Sequence, residues 1–311
     1  MILTITLNPS VDIGYALDTF QIDQVNRVED ISKTAGGKGL NVARVLRQLE
    51  EEVGAAGFLG GHLGDFIRGA VKNLGIHDYS TPITGNTRNC IAVIHEGKQT
   101  EILESGPVIT EEEAKRFLDQ LRDVAAELEV ITISGSLPKG LSQDFYQQTL
   151  QVLDQPQAPA VFLDTKGELL KETLAGEIKP FLIKPNEEEL ADLIGIPLKK
   201  EQEMVDVLTS SLFANVPHVI VTLGDKGAVV KQNDCIYRAE IPKIETVNPV
   251  GSGDAVLAGF AAGYARGLQG AEWIQYGLAM GVLNAMEEKT GQVNPEKVDW
   301  CMQQIKVTSI V

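Results

Sequence analysis

The chain has 311 residues, of which 43% are apolar. That is enough for a sizeable core, which argues against a mainly disordered protein and suits one large α/β domain with a minor appendage. The formal net charge of −16 argues against nucleic acid and anionic membranes as partners. No apolar run of about eighteen residues is available to span a bilayer, and the opening MILTITLNPS lacks the basic and apolar regions of a signal peptide. Three distant cysteines, Cys90, Cys235 and Cys301, make neither a disulfide framework nor a metal cluster, so a reducing, cytoplasmic setting is expected.

In chain order, ILTITL (2–7) predicts a first strand that runs into Asn8, Pro9 and Asp12, with Asp12 near the strand's end. From about 15 to 35 the chain is polar and strand-like, and RNCIAVIHEGKQTEILE (88–104) has the same character around a turn near Gly97. These stretches, taken as about 12–35 and 88–105, predict a small β-sheet lid set apart from the body. A helix near 40–49 follows a Gly-rich loop. Thr110 and Glu113 form a capping box ahead of a helix with Ala114, Phe117, Leu118, Leu121, Ala125 and Leu128 on one face. Short apolar runs at 130–133, 161–163, 181–183 and 219–223 alternate with polar or helical sequence, and two Ala/Gly-rich helical stretches lie near 254–266 and 271–287. This alternation predicts a single α/β domain over 1–311, built on a doubly wound, mostly parallel sheet flanked by helices.

Four stretches can carry chemistry. In AGGKGLNVARVL (35–46) paired glycines allow close backbone approach to a ligand, and Lys38 adds a positive charge on an otherwise acidic body. A tight turn into a helix explains the same residues. In NPVGSGDAVLAGFAAG (248–263) Gly251, Ser252 and Gly253 can present successive N–H groups at a helix N-terminus, forming an anion hole. Asp254 follows as either a helix cap or a base that takes the proton of an attacking hydroxyl. In IKPNEEEL (183–190) Asn186 and Glu189 share one helix face and can hold Mg²⁺, or they can be an N-cap and its capping-box partner. Lys184 can reach a phosphate. In VTLGDKGAVV (221–230) Thr222, Gly224 and Gly227 suit a nucleotide lying across strand ends, or an ordinary hairpin-like turn. ISGSLPKG (133–140) adds Ser136 as a sugar or phosphate contact, and Asp12 can grip sugar hydroxyls. The four histidines show no metal-ligand spacing.

Together AGGKGLN and NPVGSGDAV, about 210 residues apart, resemble the two signatures of the ribokinase-like (PfkB) carbohydrate kinases. KPNEEEL is similar to that family's magnesium motif, and the likeness covers essentially the whole chain. TLNPSVD, NTRNCIAV and ISGSLPKG resemble the branch acting on phosphorylated ketohexoses. The strings KTAGGKGLN, TRNCIAVIHEG, TEILE and NPVGSGD are most similar to the subgroup acting on tagatose 6-phosphate. The resemblance implies a ribokinase-like fold, with ATP and a sugar phosphate as substrates and Mg²⁺ as cofactor. It implies Asp254 as the base, Gly251, Ser252 and Gly253 as the anion hole, and Asn186 and Glu189 at the metal. It also implies Asp12, Gly37, Lys38 and Asn41 at the sugar, and a homodimer paired through the lid. Ser252 stands where the family often has Ala.

Phosphate selectivity needs cations that ATP does not already occupy. Arg27 and Arg88, one in each lid stretch, are the candidates, brought onto the sugar phosphate by lid closure. The alternative within the class is a kinase of fructose 1-phosphate. A different class is a non-catalytic sugar-phosphate-binding regulator on the same fold, against which the complete set Asp254, Asn186 and Glu189 speaks.

Overall fold

The first strand, β1 (Ile2–Thr6), shows why the apolar runs are continuous rather than alternating. Ile2 packs into one buried core, and Leu3 and Ile5 into another, because helices cover both faces of the sheet. The computed structural model describes residues 1–198 and 200–310. The strands that follow are β2 (Ser10–Leu17), β3 (Asp30–Gly36), β4 (Val53–Leu59), β5 (His77–Asp78), β6 (Thr81–Pro82), β7 (Arg88–His95) and β8 (Lys98–Leu103). The remaining strands are β9 (Val130–Ser134), β10 (Ala160–Asp164), β11 (Leu182–Ile183), β12 (His218–Thr222), β13 (Ala228–Gln232), β14 (Cys235–Glu240) and β15 (Lys306–Ser309). The helices are α1 (Lys38–Gln48), α2 (Gly61–Asn73), α3 (Glu111–Val124), α4 (Phe145–Leu153), α5 (Gly167–Ala175), α6 (Glu187–Ile194), α7 (Glu201–Leu208), α8 (Ser252–Ala265), α9 (Gly270–Ala285) and α10 (Val298–Gln304).

The large sheet runs β15-β14-β13-β12-β11-β10-β9-β1-β4-β5, with β6 paired to β4. It is parallel from β5 to β12 and antiparallel from β12 to β15. Helices α1, α2, α8, α9 and α10 bury their apolar faces on one side, and α3 to α7 on the other. This is the expected doubly wound α/β architecture. The expected capping box is formed: Glu113 N–H donates to Thr110 Oγ1 at 3.2 Å and Thr110 N–H to Glu113 Oε2 at 2.9 Å. Among the described residues no helix is long and apolar enough to cross a membrane.

A second sheet, β3-β2-β7-β8, sits apart from the first and packs against α2. Its outer strand β8 is exposed along its whole length, and Ile31, Ile94, Ile102 and Leu103 face solvent. The β2–β3 connection exposes Ile22 and Val25 almost fully.

One boundary differs from expectation. The first strand ends at Thr6, and Asn8 and Pro9 carry the chain across to the second sheet, since Pro has no N–H to continue a ladder. Asp12 therefore lies within β2, paired with Thr34 and Cys90, and not at the end of strand one.

Candidate active site

The parallel strands end along one edge, where side chains leaving the ladder are free to converge. Asp164 ends β10, Ser134 ends β9, and Lys184 follows β11 directly. The Asp164 side chain is 1% exposed and lies 3.4 Å from Lys38 Nζ and 3.5 Å from Lys184 Nζ. One buried carboxylate thus holds together the lysine of the first Gly-rich loop and the lysine of KPNEEEL. Burial alone pulls the Lys38 ammonium down, but Asp164, Asp254 and Glu189 together lift it above its ordinary range.

Asp254 sits in the first turn of α8, buried, with Asn41 Nδ2 donating to its Oδ2 at 2.7 Å. Burial and the neighbouring Asp164 charge raise its carboxyl from 3.8 to about 6. The opposing pull of Lys38, the Asn41 hydrogen bond and Lys184 is weaker. Such a group is ionised at neutral pH yet basic enough to take a proton from a hydroxyl.

The loop before α8 is shaped by Gly251, which has φ 82° and would place a Cβ 2.5 Å from Thr290 Cγ2. An L side chain there is strained by the backbone and crowded by Thr290. The expected run of three free donors is modified. Ser252 N–H turns back to Pro249 O at 3.2 Å, whereas the N–H groups of Gly251 and Gly253 make no backbone bond. Lys184 Nζ is 3.3 Å from where a Gly253 Cβ would stand, so its charge overhangs the same helix mouth. Asn284, 1% exposed on α9, ties the loop down. Its Nδ2 donates to Val250 O at 3.0 Å and to Ser252 Oγ at 3.3 Å, and its Oδ1 accepts from Gly291 N–H at 2.9 Å.

The residues expected at the sugar, Asp12, Gly37, Lys38 and Asn41, lie on α1, at its N-cap and on β2. Asp12 accepts from Ser10 Oγ at 2.7 Å, and its carboxylate lies over Gly36, where a Cβ would come within 2.0 Å of Asp12 Cγ. Burial raises the Asp12 carboxyl, against the Ser10 bond and the charges of Arg44 and Arg88. Gly37 is the N-cap of α1, so Lys38 and Asn41 stand on its first turn.

Asn186 and Glu189 form a capping box: Asn186 N–H donates to Glu189 Oε2 at 3.0 Å, and Glu189 N–H to Asn186 Oδ1 at 2.8 Å. Thr222 N–H donates to Pro185 O at 3.1 Å, and Asn186 and Thr222 form an isolated parallel bridge. Gly224 and Gly227 make the tight turn between β12 and β13. These residues therefore share the β11/β12 end of the sheet.

The three remaining expected site residues lie on two loops and on β7. Ser136 is exposed on the loop after β9. Arg88 is half-buried and spends its fork on backbone, with Nη1 donating to Glu104 O at 2.9 Å and Nη2 to Asn8 O at 3.1 Å. Arg27 is exposed in the β2–β3 connection. Arg88 pairs with Ser10 at one end of β2, and the connection leaves from Leu17 at the other. Seven steps of about 3.3 Å separate those ends of β2.

Asp164, Arg44 and Asn284 were not singled out by the sequence. A carboxylate closing the buried run AVFLD is the available signal for Asp164, since an unpaired charge does not end a core strand without compensation.

Residues 6–297 match the family model described as pfkB family carbohydrate kinase. The chain belongs to the pfkB family of carbohydrate kinases. Two tagatose-6-phosphate kinases of Staphylococcus epidermidis, from strains ATCC 35984 and ATCC 12228, are each 45% identical over 311 residues, with 100% of both chains covered. The phosphofructokinase-2 structure from Escherichia coli in complex with potassium superposes with a TM-score of 0.88 at 24% identity, covering 97% of this chain and 98% of that one; it speaks to the fold alone. As a pfkB kinase the protein is a phosphotransferase acting on a sugar hydroxyl, with ATP as the donor that the family implies.

Proposed function

We propose that the protein phosphorylates tagatose 6-phosphate at its C1 hydroxyl with ATP, giving tagatose 1,6-bisphosphate and ADP. The sugar identity is supported by the full-length likeness to two tagatose-6-phosphate kinases. The chemistry is carried by one observation: a buried carboxylate, Asp254, raised to about 6 beside an anion hole. In this reading Asp254 accepts the hydroxyl proton as the sugar oxygen attacks the γ-phosphorus and the bond to the β,γ-bridging oxygen breaks. The Gly251 and Gly253 N–H groups, with the α8 dipole, stabilise charge on the transferring group. Lys184, Asn186, Thr222, Gly224 and Gly227 hold the nucleotide. Asp12, Gly37, Lys38 and Asn41 hold the sugar, with Ser136 as a further contact.

The charged side chains gathered here are the cations Lys38, Arg44, Arg88 and Lys184 and the carboxylates Asp12, Asp164, Glu189 and Asp254. A polyphosphate entering such a site needs added positive charge. Among the described residues no cluster of three or more His, Cys, Asp or Glu is arranged to hold a metal alone. Oxygen donors from one or two side chains nevertheless fit Mg²⁺, which usually keeps waters and binds through substrate phosphates. Asn186 and Glu189 are the residues proposed to meet it, through the Glu189 oxygen that the capping box leaves unused. The ion would neutralise phosphate charge.

A cytoplasmic homodimer paired through the second sheet completes the reading. The apolar residues exposed on that sheet and in the β2–β3 connection support it. In such a pair Arg27 reaches the sugar phosphate from the second copy, and the second sheet acts as the lid. The deciding assay compares kcat/KM for tagatose 6-phosphate, fructose 6-phosphate and fructose 1-phosphate side by side. A preference for fructose 1-phosphate replaces this reading with the alternative kinase.

A further inference from the structure

Arg44 stands three residues after Asn41 on α1, so the two side chains share one helix face. Its guanidinium is turned inward. Nη1 donates to Ala35 O at 2.7 Å, and Nη2 donates to Asn41 Oδ1. On its other side, Nε is 3.1 Å from where a Gly291 Cβ would stand. Burial pulls the group down from its ordinary value, while the charges of Asp12 and Asp254 act in the opposite direction. Arg44 thus feels both the proposed sugar-binding carboxylate and the proposed base.

An asparagine amide has two faces, one that only accepts and one that only donates. A guanidinium only donates. Once Arg44 claims Asn41 Oδ1, the Asn41 NH₂ must face Asp254, where it donates at 2.7 Å. The flipped amide would set its oxygen against the Asp254 carboxylate. That arrangement is favourable only if Asp254 carries a proton, and a protonated Asp254 cannot accept another. The orientation of one amide therefore selects between a base and a trapped acid. The other groups facing Asp254 are Asp164 from β10, Lys38 from α1 and Lys184 after β11, and none of them touches Asn41 Oδ1.

We propose that Arg44 is a positioning residue for phosphoryl transfer, which locks the Asn41 amide with its NH₂ toward Asp254 and so holds that carboxylate ready to accept the sugar proton. The inference rests on Asp254 being the base.

The experiment measures kcat against pH for wild type, Arg44→Met, Asn41→Leu, the double variant and Asp254→Asn, with thermal unfolding to confirm the fold. In Arg44→Met the acidic limb moves up by about one pH unit, the size of effect expected when an opposite charge near a carboxylate is lost. With the limb moved from about 6 to about 7, kcat at neutral pH falls at least about twofold, while the ATP KM stays within about twofold, because no nucleotide contact is touched. Adding Arg44→Met to Asn41→Leu shifts the limb by less than it does alone, since the two residues act through one amide. A folded Arg44→Met enzyme with its limb unmoved overturns the proposal, as do strictly additive shifts. Should Arg44→Met not fold, Arg44→Lys decides. It keeps the charge but not the fork that spans Ala35 O and Asn41 Oδ1, so kcat still falls at least about twofold; wild-type kcat and limb in that variant also overturn the proposal. Asp254→Asn separates the two layers. If it keeps more than about a tenth of wild-type kcat, the base reading itself fails and this inference with it. If turnover is lost there while Arg44→Met behaves as wild type, the inference alone fails.

Discussion

Asn41 and Asp254 are 213 residues apart in sequence, yet the amide of one donates to the carboxylate of the other at 2.7 Å. The bond joins the first turn of α1 to the first turn of α8, so the two Gly-rich loops close on one point. It also explains why Asp254 is not pushed further from its ordinary range. Full burial beside the Asp164 charge is opposed by this bond and by two lysines, and the balance settles at about 6.

That balance predicts that Asp254→Asn removes activity and adds stability. Loss of a general base lowers kcat by roughly 10²–10⁴-fold. In the folded state Asp254 holds its proton up to about pH 6, against 3.8 for an ordinary aspartate. The unfolded chain therefore releases that proton first, and stability falls as pH rises from about 4 to 6. Above that window the buried charge destabilises the fold by up to about 3 kcal/mol, taking 1.36 kcal/mol per unit. Asn carries no charge and escapes this penalty. Denaturant unfolding at pH 7.5 should show the variant more stable than wild type, with the difference fading toward pH 4. Equal stability at both pH values contradicts the balance.

Much of the site was legible in the sequence because Gly-rich loops announce themselves. Gly251 is favoured by a backbone with φ 82° and by Thr290 behind it, and both constraints leave glycine in the sequence. The two cores were legible for a similar reason, since strands covered on both faces read as unbroken apolar runs. β4 was harder to read. Its sequence VGAAGFL has weak strand preference, and it becomes a strand by pairing with β1. Asp164, Arg44 and Asn284 were silent because each works with partners distant in sequence: Lys38 for Asp164, Asp12 and Asp254 for Arg44, and Val250 for Asn284. An Asp, an Arg or an Asn alone carries no spacing signal. Asp12 was assigned to the wrong strand because nothing local marks where a chain leaves one sheet for another.

Glu189→Gln separates the two roles of the Asn186/Glu189 pair. Gln serves a capping box as Glu does, so thermal stability should stay within about 0.5 kcal/mol of wild type. The charge that would meet Mg²⁺ is gone, so the Mg²⁺ concentration for half-maximal rate should rise at least several-fold, with sugar KM little changed. An unchanged Mg²⁺ titration leaves the pair as a helix cap and nothing more.

Asn284→Leu tests whether the anion hole needs its support. The substitution leaves Val250 O and Gly291 N–H without the partners they have now. Gly291 N–H is buried, and leaving it unpaired costs about 1–3 kcal/mol, whereas Val250 lies on the exposed side of the loop, so the midpoint of chemical denaturation should fall by about one such group. Asn284→Asp is the sharper probe. It keeps an acceptor for Gly291 N–H, loses the donor to Val250 O, and sets a negative charge behind the loop proposed to receive phosphate. kcat should drop at least about tenfold and the ATP KM should rise. A folded Asn284→Asp enzyme with wild-type kinetics would show that the loop holds its shape unaided.

The separation of Arg27 from Arg88 gives the most direct test of a second copy in the site. Arg88 is anchored where the second sheet leaves the body, bonded to Asn8 O and Glu104 O. Arg27 lies beyond Leu17, at the far end of β2. We propose that Arg27 meets the sugar phosphate across a dimer. Arg27→Ala should then raise the sugar-phosphate KM at least tenfold, since a charge-assisted bond contributes about 1.5–3 kcal/mol, and the ATP KM should hardly move. Asp254→Asn abolishes turnover in its own subunit but keeps its Arg27. Mixing the KM-impaired Arg27→Ala with the inactive Asp254→Asn, with subunit exchange, places an intact Asp254 beside an Arg27 donated by the other chain. Activity at low sugar phosphate should then reappear that neither parent has. Arginine acting within its own chain gives no such recovery, because every subunit in the mixture lacks one group or the other. Recovery thus reads the origin of Arg27 directly, and its absence, with exchange shown by mass spectrometry of the mixed dimer, returns Arg27 to a solvated charge on the β2–β3 connection.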